Sequence, residues 1–259
     1  MKKSLEAFDR LLNIMDELRE KCPWDREQTI ESIRNLTIEE TYELADAIIE
    51  GDMQGVKKEL GDILLHIVFY SKIASETNLF DITDVINQLC DKLVYRHPHV
   101  FGETHVSSAS DVVKNWETIK MSEKEGNKTV LSGVPNSLSS LIKANRIQEK
   151  VRAVGFDWEE RSQVWDKVNE ELNELKTEID NHNHEQIEAE FGDLLFSVVN
   201  AARLYNIDPE TALERTNKKF MKRFAFLEQK TIKQGRSLKT MSLDEMNEIW
   251  EQAKEFDKQ

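Results

Sequence analysis

The chemistry this sequence can do lies in two pairs of acidic motifs. In the second half, Glu170-Glu171-x-x-Glu174 is followed 16 positions beyond Glu174 by Glu190-Phe191-Gly192-Asp193. In the first half, Glu39-Glu40-x-x-Glu43 is followed at the same spacing by Glu59-Leu60-Gly61-Asp62, each residue 131 positions earlier. Side chains three apart on a helix lie about 60° apart and share a face. Glu171 and Glu174 therefore project together, as do Glu190 and Asp193 on the next helix. The polar connection DNHNHEQ suits a short turn, and a short turn makes the two helices antiparallel neighbours. Four carboxylates then converge between two helices. Glu40, Glu43, Glu59 and Asp62 do the same through EGDMQG, as a second, N-terminal candidate metal site. Such clusters repel themselves unless a positive charge sits among them. All-oxygen, anionic ligands favour Mg²⁺ or Mn²⁺ over Zn²⁺, and carboxylate-bound Mg²⁺ commonly shares its shell with phosphates. The pattern points to chemistry on a phosphate chain. A plain solvated helix face is the competing reading. The duplication and the apolar runs directly after each Asp (ILLHIVF and LLFSVV) weigh against it.

Cationic and aromatic residues extend the candidate site. Lys219 and Arg223 are four apart on one helix face and can hold phosphates and the charge of a leaving pyrophosphate; alone, such a pair is commonly surface charge. Trp250 can stack on a base or simply pack. Lys167 stands one turn before Glu171, whereas the matching first-half residue is Leu36. The two sites are therefore not equivalent, and the second is better equipped for an anionic substrate. Gly61 and Gly192 lie inside the acid-bearing helices at a cost of roughly 1 kcal/mol each against Ala; close approach of a ligand or another helix to the backbone and plain helix packing are equal readings of them. His66 reads as a core or interface side chain, His97 and His99 as a turn, and His182 and His184 as loop. None has metal-ligand spacing with the carboxylates. No Ser-His-Asp set, P-loop or GxGxxG is visible.

Helices must position these groups. Phe8, Leu11, Leu12, Met15 and Leu18 recur near the 3.6-residue period, as do Leu213, Phe220, Phe224 and Leu227. No run alternates with period two, and nine Gly and four Pro in 259 residues are too few for a many-stranded β protein. Length alone allows one or two domains. The repeat decides for two: acid motif, acid motif, Lys92-x3-Arg96 facing Lys219-x3-Arg223, then Trp116 facing Trp250, with Asp25 facing Asp157 upstream. The expected division is residues 1–126, a linker over 127–136, and residues 137–259. With 49 acidic against 35 basic residues, the net charge of −14 disfavours nucleic acid and anionic membrane, but not a local phosphate site. The longest apolar stretches, Ile63–Tyr70 and Leu194–Ala202, are far short of the roughly 20 residues of a membrane span. MKKSLEAFDR lacks the apolar core of a signal peptide. Cys22 and Cys90 make no disulfide framework, so a cytoplasmic location is expected.

The paired acid motifs, the strings CPWDREQT, YRHPHVFGE and VGFDWEE, and the duplication together resemble the MazG family of nucleoside triphosphate pyrophosphohydrolases. The likeness covers nearly the whole chain. It implies an all-α protein of two tandem MazG-like helical-bundle domains, a homodimer, and Mg²⁺-dependent hydrolysis of ribo- and deoxynucleoside triphosphates to monophosphate and pyrophosphate. Broad base tolerance and a role in clearing aberrant nucleotides go with it, and the C-terminal copy is the one usually credited with activity. The resemblance assigns Glu171, Glu174, Glu190 and Asp193 to the metal, Lys167, Lys219 and Arg223 to the phosphates, and Trp250 to the nucleotide. Glu170 or a ligand glutamate serves as general base, a choice the sequence leaves open. Leu36 departs from the lysine, which puts N-terminal activity in question. Two alternatives stand beside this. A di-iron bundle would need Glu-x-x-His, and every motif here ends in Glu or Asp. A non-catalytic helical dimer would bind nucleotide or protein without releasing pyrophosphate.

Overall fold

A computed structural model describes residues 2–108, 111–112, 115–116, 119, 129–158, 160–233 and 235–256. The chain is all-α, with no strand among the described residues. It divides into two compact units, Met1–Ile119 and Lys120–Gln259. Of the expected linker, residues 127 and 128 lie outside the described residues, and residues 129–136 fall in the second unit.

The first unit contains α1 (Lys2–Lys21), α2 (Pro23–Glu27), α3 (Ile30–Glu50), α4 (Met53–Glu76), α5 (Ile82–Arg96) and α6 (Pro98–Phe101). A capping box starts α3: Thr29 Oγ1 accepts from the Ser32 amide, and Ser32 Oγ accepts from the Thr29 amide. Gly51 stops α3 in the left-handed conformation, at φ 71°, where other residues are strained. Asp52 then caps α4 by accepting from the Gln54 amide. The turn is tight, so α3 and α4 pack as an antiparallel hairpin. Met15, Ile33, Val68 and Phe69 form the core, with Phe8, Leu11 and Leu12 of the α1 stripe packed on it.

The second unit contains α7 (Ser140–Ala153), α8 (Gln163–Asn181), α9 (His184–Leu204), α10 (Pro209–Lys233), a 3-10 turn (Leu238–Thr240) and α11 (Leu243–Phe256). Here α8 and α9 make the equivalent hairpin, and His182 takes the left-handed cap position at φ 56°. Against this hairpin packs α7, which also touches α10, and α10 pairs with α11. Leu227, Met241 and Ile249 are buried between the last two helices. The remainder of the α10 stripe is not: Leu213, Phe220 and Phe224 are exposed. No described helix is long and apolar enough to cross a membrane.

Candidate functional site

The α8–α9 hairpin gathers the predicted carboxylates. Glu170, Glu171 and Glu174 offer oxygens within 4.8 Å of one another, and so do Glu171, Glu190 and Asp193. Glu171 belongs to both groups and is only 6% exposed. Lys167 Nζ lies 2.6 Å from Glu171 and 2.8 Å from Glu170. These bonds hold its ammonium above the ordinary lysine range. Desolvation, then the neighbouring Glu171, Glu190 and Glu170 carboxylates, push the Glu174 carboxyl above its usual range. The cluster is thus short of positive charge even with Lys167 in it.

Beside the cluster opens a cavity of about 670 Å³, with Lys167, Glu171 and Asp193 in its wall. That volume lies within the roughly 300–1,000 Å³ of small-molecule sites. Its apolar wall includes Ile147 and Val151 of α7 and the exposed aromatic rings of Phe156, Trp158 and Phe196. Deeper in, Arg203 (7% exposed) donates to the Asp157 carboxylate through Nη1, at 3.1 Å, and through Nη2. It also donates twice to Asn200 Oδ1, at 3.0 and 2.7 Å. Burial pushes the Asp157 carboxyl up, but the Arg203 guanidinium, the Trp158 amide and Arg152 together hold it below the ordinary range.

The first unit repeats the cluster but not its surroundings. Glu40, Glu59 and Asp62 come together, and Glu43 joins them through Lys58, whose Nζ is 3.7 Å from Glu43, 2.9 Å from Glu59 and 3.8 Å from Asp62. Desolvation, then Asp62 and Glu43, raise the Glu40 carboxyl. The buried member here is Glu59, at 6% exposure, whereas the second unit buries the counterpart of Glu40. In each unit one lysine neutralises the buried carboxylate, but from different helices: Lys58 on α4, Lys167 on α8. The second-half counterpart of Lys58 is Ala189. Where the cavity lies in the second unit, the first carries larger side chains. Arg19 matches Val151, Phe69 matches Asn200 and His66 matches Ser197 in the repeat. The Arg19 guanidinium spans from Glu76 (2.8 Å) to the Asp25 and Gln28 carbonyls and lies 5.7 Å from the Phe69 ring centre. Phe69 itself is 3% exposed.

Lys219, Arg223 and Trp250 form a separate set on α10 and α11. Arg223 lies over the Trp250 ring at 5.8 Å, and Phe220 packs on the same ring at 4.9 Å. None of the three lines the cavity or belongs to the acid groups. At Gly61 and Gly192 an added methyl would meet nothing within 4 Å. No other helix of this chain approaches them among the described residues, so packing within the chain does not account for either glycine. Lys58, Gln148 and Asn200 escaped sequence reasoning. Only Lys58 left a signal, as the cation directly before Glu59.

The chain matches the family profile described as the MazG nucleotide pyrophosphohydrolase domain twice, over residues 28–101 and 160–225. Each match contains one acid-bearing hairpin. Over 257 residues, 98% of each chain, it is 45% identical to the nucleoside triphosphate pyrophosphohydrolase/pyrophosphatase MazG of Thermotoga maritima. It is 40% identical to the nucleoside triphosphate pyrophosphohydrolase of Escherichia coli K12, covering 96% of this chain and 98% of the relative. It is 43% identical to the uncharacterized protein YabN of Bacillus subtilis, over 97% of this chain and 52% of that one.

Proposed function

Because the chain belongs to the MazG nucleotide pyrophosphohydrolase family, we propose that its second unit hydrolyses ribo- and deoxynucleoside triphosphates to monophosphate and pyrophosphate. One observation carries this reading: α8 and α9 bring a carboxylate cluster, Lys167 and a ligand-sized cavity to one place. Relatives alike over nearly their whole length bear the name of that activity.

The donor set fits a hard divalent cation. It is all oxygen and anionic, and desolvation together with the neighbouring carboxylates raises the Glu174 carboxyl. Glu171, Glu174, Glu190 and Asp193 would hold Mg²⁺, with Mn²⁺ as a substitute. Bound there, the ion offsets charge on the triphosphate and on the departing pyrophosphate. Lys167 serves the phosphates as a mobile point charge, released from Glu170 and Glu171 when they meet other partners. Glu170 is left over from the ligand set and accepts a proton from the attacking water. The water oxygen bonds to the α-phosphorus, the bond from that phosphorus to the α–β bridging oxygen breaks, and pyrophosphate leaves with that oxygen. The cavity's apolar, aromatic wall suits a nucleobase of any kind, which supports broad base tolerance and a housecleaning role.

Homodimerisation is part of the same reading. Leu60, Leu64 and Ile67 form an exposed stripe on α4, and Phe191, Leu195 and Val198 repeat it on α9 at the same 131-residue offset. An apolar stripe left exposed on each unit suits a protein partner. The glycines beside it let another backbone come close. A second copy also offers a way for Lys219, Arg223 and Trp250 to reach a substrate whose cavity they do not line. The first unit, with Arg19 and Phe69 packed where the cavity would be, supports a non-hydrolytic role for that half.

Hydrolysis in ¹⁸O-labelled water with Mg²⁺ tests the reaction. The label is expected in the nucleoside monophosphate. Label confined to pyrophosphate would refute attack at the α-phosphorus, and no release of pyrophosphate would refute the enzyme reading.

A further inference from the structure

Gln148, on α7, is 4% exposed and lines the same cavity as Glu171 and Asp193. Its side-chain Nε2 donates to the Phe196 carbonyl at 2.8 Å, which fixes the orientation of the amide. Its Oε1 is buried and has no hydrogen-bond partner among the described residues. A buried, unpaired acceptor is uncommon in a folded protein and demands a donor. The polar neighbours in the cavity do not supply one. The Ser197 hydroxyl gives its hydrogen to the Leu194 carbonyl at 2.8 Å. Arg203 directs its donors to Asp157 and to Asn200 Oδ1. Asn200, its oxygen so occupied, has only its amide hydrogens left to offer. The cavity wall therefore brings together Gln148, whose buried acceptor lacks a partner, the Asn200 amide donor and aromatic rings, next to a cluster suited to phosphates. A planar heterocycle carrying an N–H satisfies all of these.

We propose that Gln148 Oε1 is the nucleobase-recognising acceptor of the second unit, taking a hydrogen bond from a ring or exocyclic N–H of the base. This rests on the pyrophosphohydrolase reading above and deepens it. Adenine, cytosine, guanine, uracil and thymine all carry such an N–H along the edge remote from the sugar. One acceptor thus admits every common base while rejecting a base that has no N–H there. Gln148 sets a chemical floor for the substrate rather than a choice among the common bases.

The test compares ATP with purine riboside triphosphate, which is the same molecule without the exocyclic amine. In the wild-type protein with Mg²⁺, kcat/KM for ATP should exceed that for the analogue by about 10- to 100-fold, the usual consequence of leaving a buried group of the site unpaired. Gln148→Leu should close the gap, because ATP falls to the level of the analogue. Equal efficiency for the two substrates in the wild-type protein would overturn the assignment of Gln148 and leave the pyrophosphohydrolase reading standing. So would a gap that survives Gln148→Leu. The wild-type comparison needs no variant to fold. If neither compound releases pyrophosphate, calorimetric binding of the two compounds separates the claims. A 10- to 100-fold difference in Kd would uphold Gln148 and overturn catalysis; equal Kd values would overturn both.

Discussion

Replacing Asp157 by alanine should destabilise the second unit far more than the corresponding change, Asp25→Ala, destabilises the first. The two aspartates occupy matching places in the repeat, but the structure uses them differently. Asp157 offers its carboxylate to Arg203, which is 7% exposed. Asp25 serves Arg19 through its backbone carbonyl, which any residue would supply. Breaking a buried ion pair by removing one partner costs roughly 3–5 kcal/mol. The lower end applies here. The Asp157 side chain is 19% exposed, and Asn200 keeps two of the guanidinium's hydrogen bonds. A loss of about 3 kcal/mol lowers the midpoint of the affected transition by about 6–12 °C for a unit of this size. Asp25→Ala should cost about 1 kcal/mol or less, the worth of an acid in the first turn of a short helix. Differential scanning calorimetry of the intact chain reads both. Equal losses, or less than about 1 kcal/mol for Asp157→Ala, would refute the argument that the carboxylate–Arg203 pair organises this end of the cavity.

Three further outcomes are expected. Lys167→Met should lower kcat/KM for nucleoside triphosphates by about 10- to 100-fold in a pyrophosphate-release assay, through loss of a cation from the charged transition state. Stability should decline as pH falls below about 4. Arg19 holds the Glu76 carboxyl below its ordinary range, so this group contributes stability above its unfolded pKa of about 4.3 and loses it as pH falls through the lower folded value. Thermal midpoints of Glu76→Gln between pH 7 and 3 should accordingly fall less steeply than those of the wild type. Leu195→Glu, which places a charge in the α9 stripe, should convert a dimer to monomer in sedimentation velocity, and a monomeric wild type would contradict the proposed role of that stripe.

Much of the architecture was legible because it depends on local periodicity and on duplication. The 3.6-residue spacing placed Glu171 and Glu174 on one face, and the polar turn made α8 and α9 neighbours, as the repeat did for α3 and α4. What the sequence could not show depends on partners distant in the chain. Arg203 and Asp157 are 46 residues apart, and nothing local announces their pairing. Gln148 reads as one more polar residue on an amphipathic helix; only the fold reveals that it is buried with an acceptor unpaired. The swap of the buried acid, Glu59 in one unit and Glu171 in the other, accompanies a swap in which helix carries the neighbouring lysine. The periodic spacing of the α10 stripe marks it as helical, yet of Leu213, Phe220, Phe224 and Leu227 only Leu227 is buried, and Trp250 of α11 packs on Phe220 without covering it.

The central claim is that the second carboxylate cluster, and not the first, does the chemistry. Pyrophosphate release from a panel of ribo- and deoxynucleoside triphosphates with Mg²⁺ tests it most directly, with the wild type, Glu43→Ala and Glu174→Ala compared side by side. The expected result is an inactive Glu174→Ala that keeps its helical circular dichroism, and a Glu43→Ala close to wild type. An active Glu174→Ala, or loss of activity on Glu43→Ala alone, would contradict the assignment.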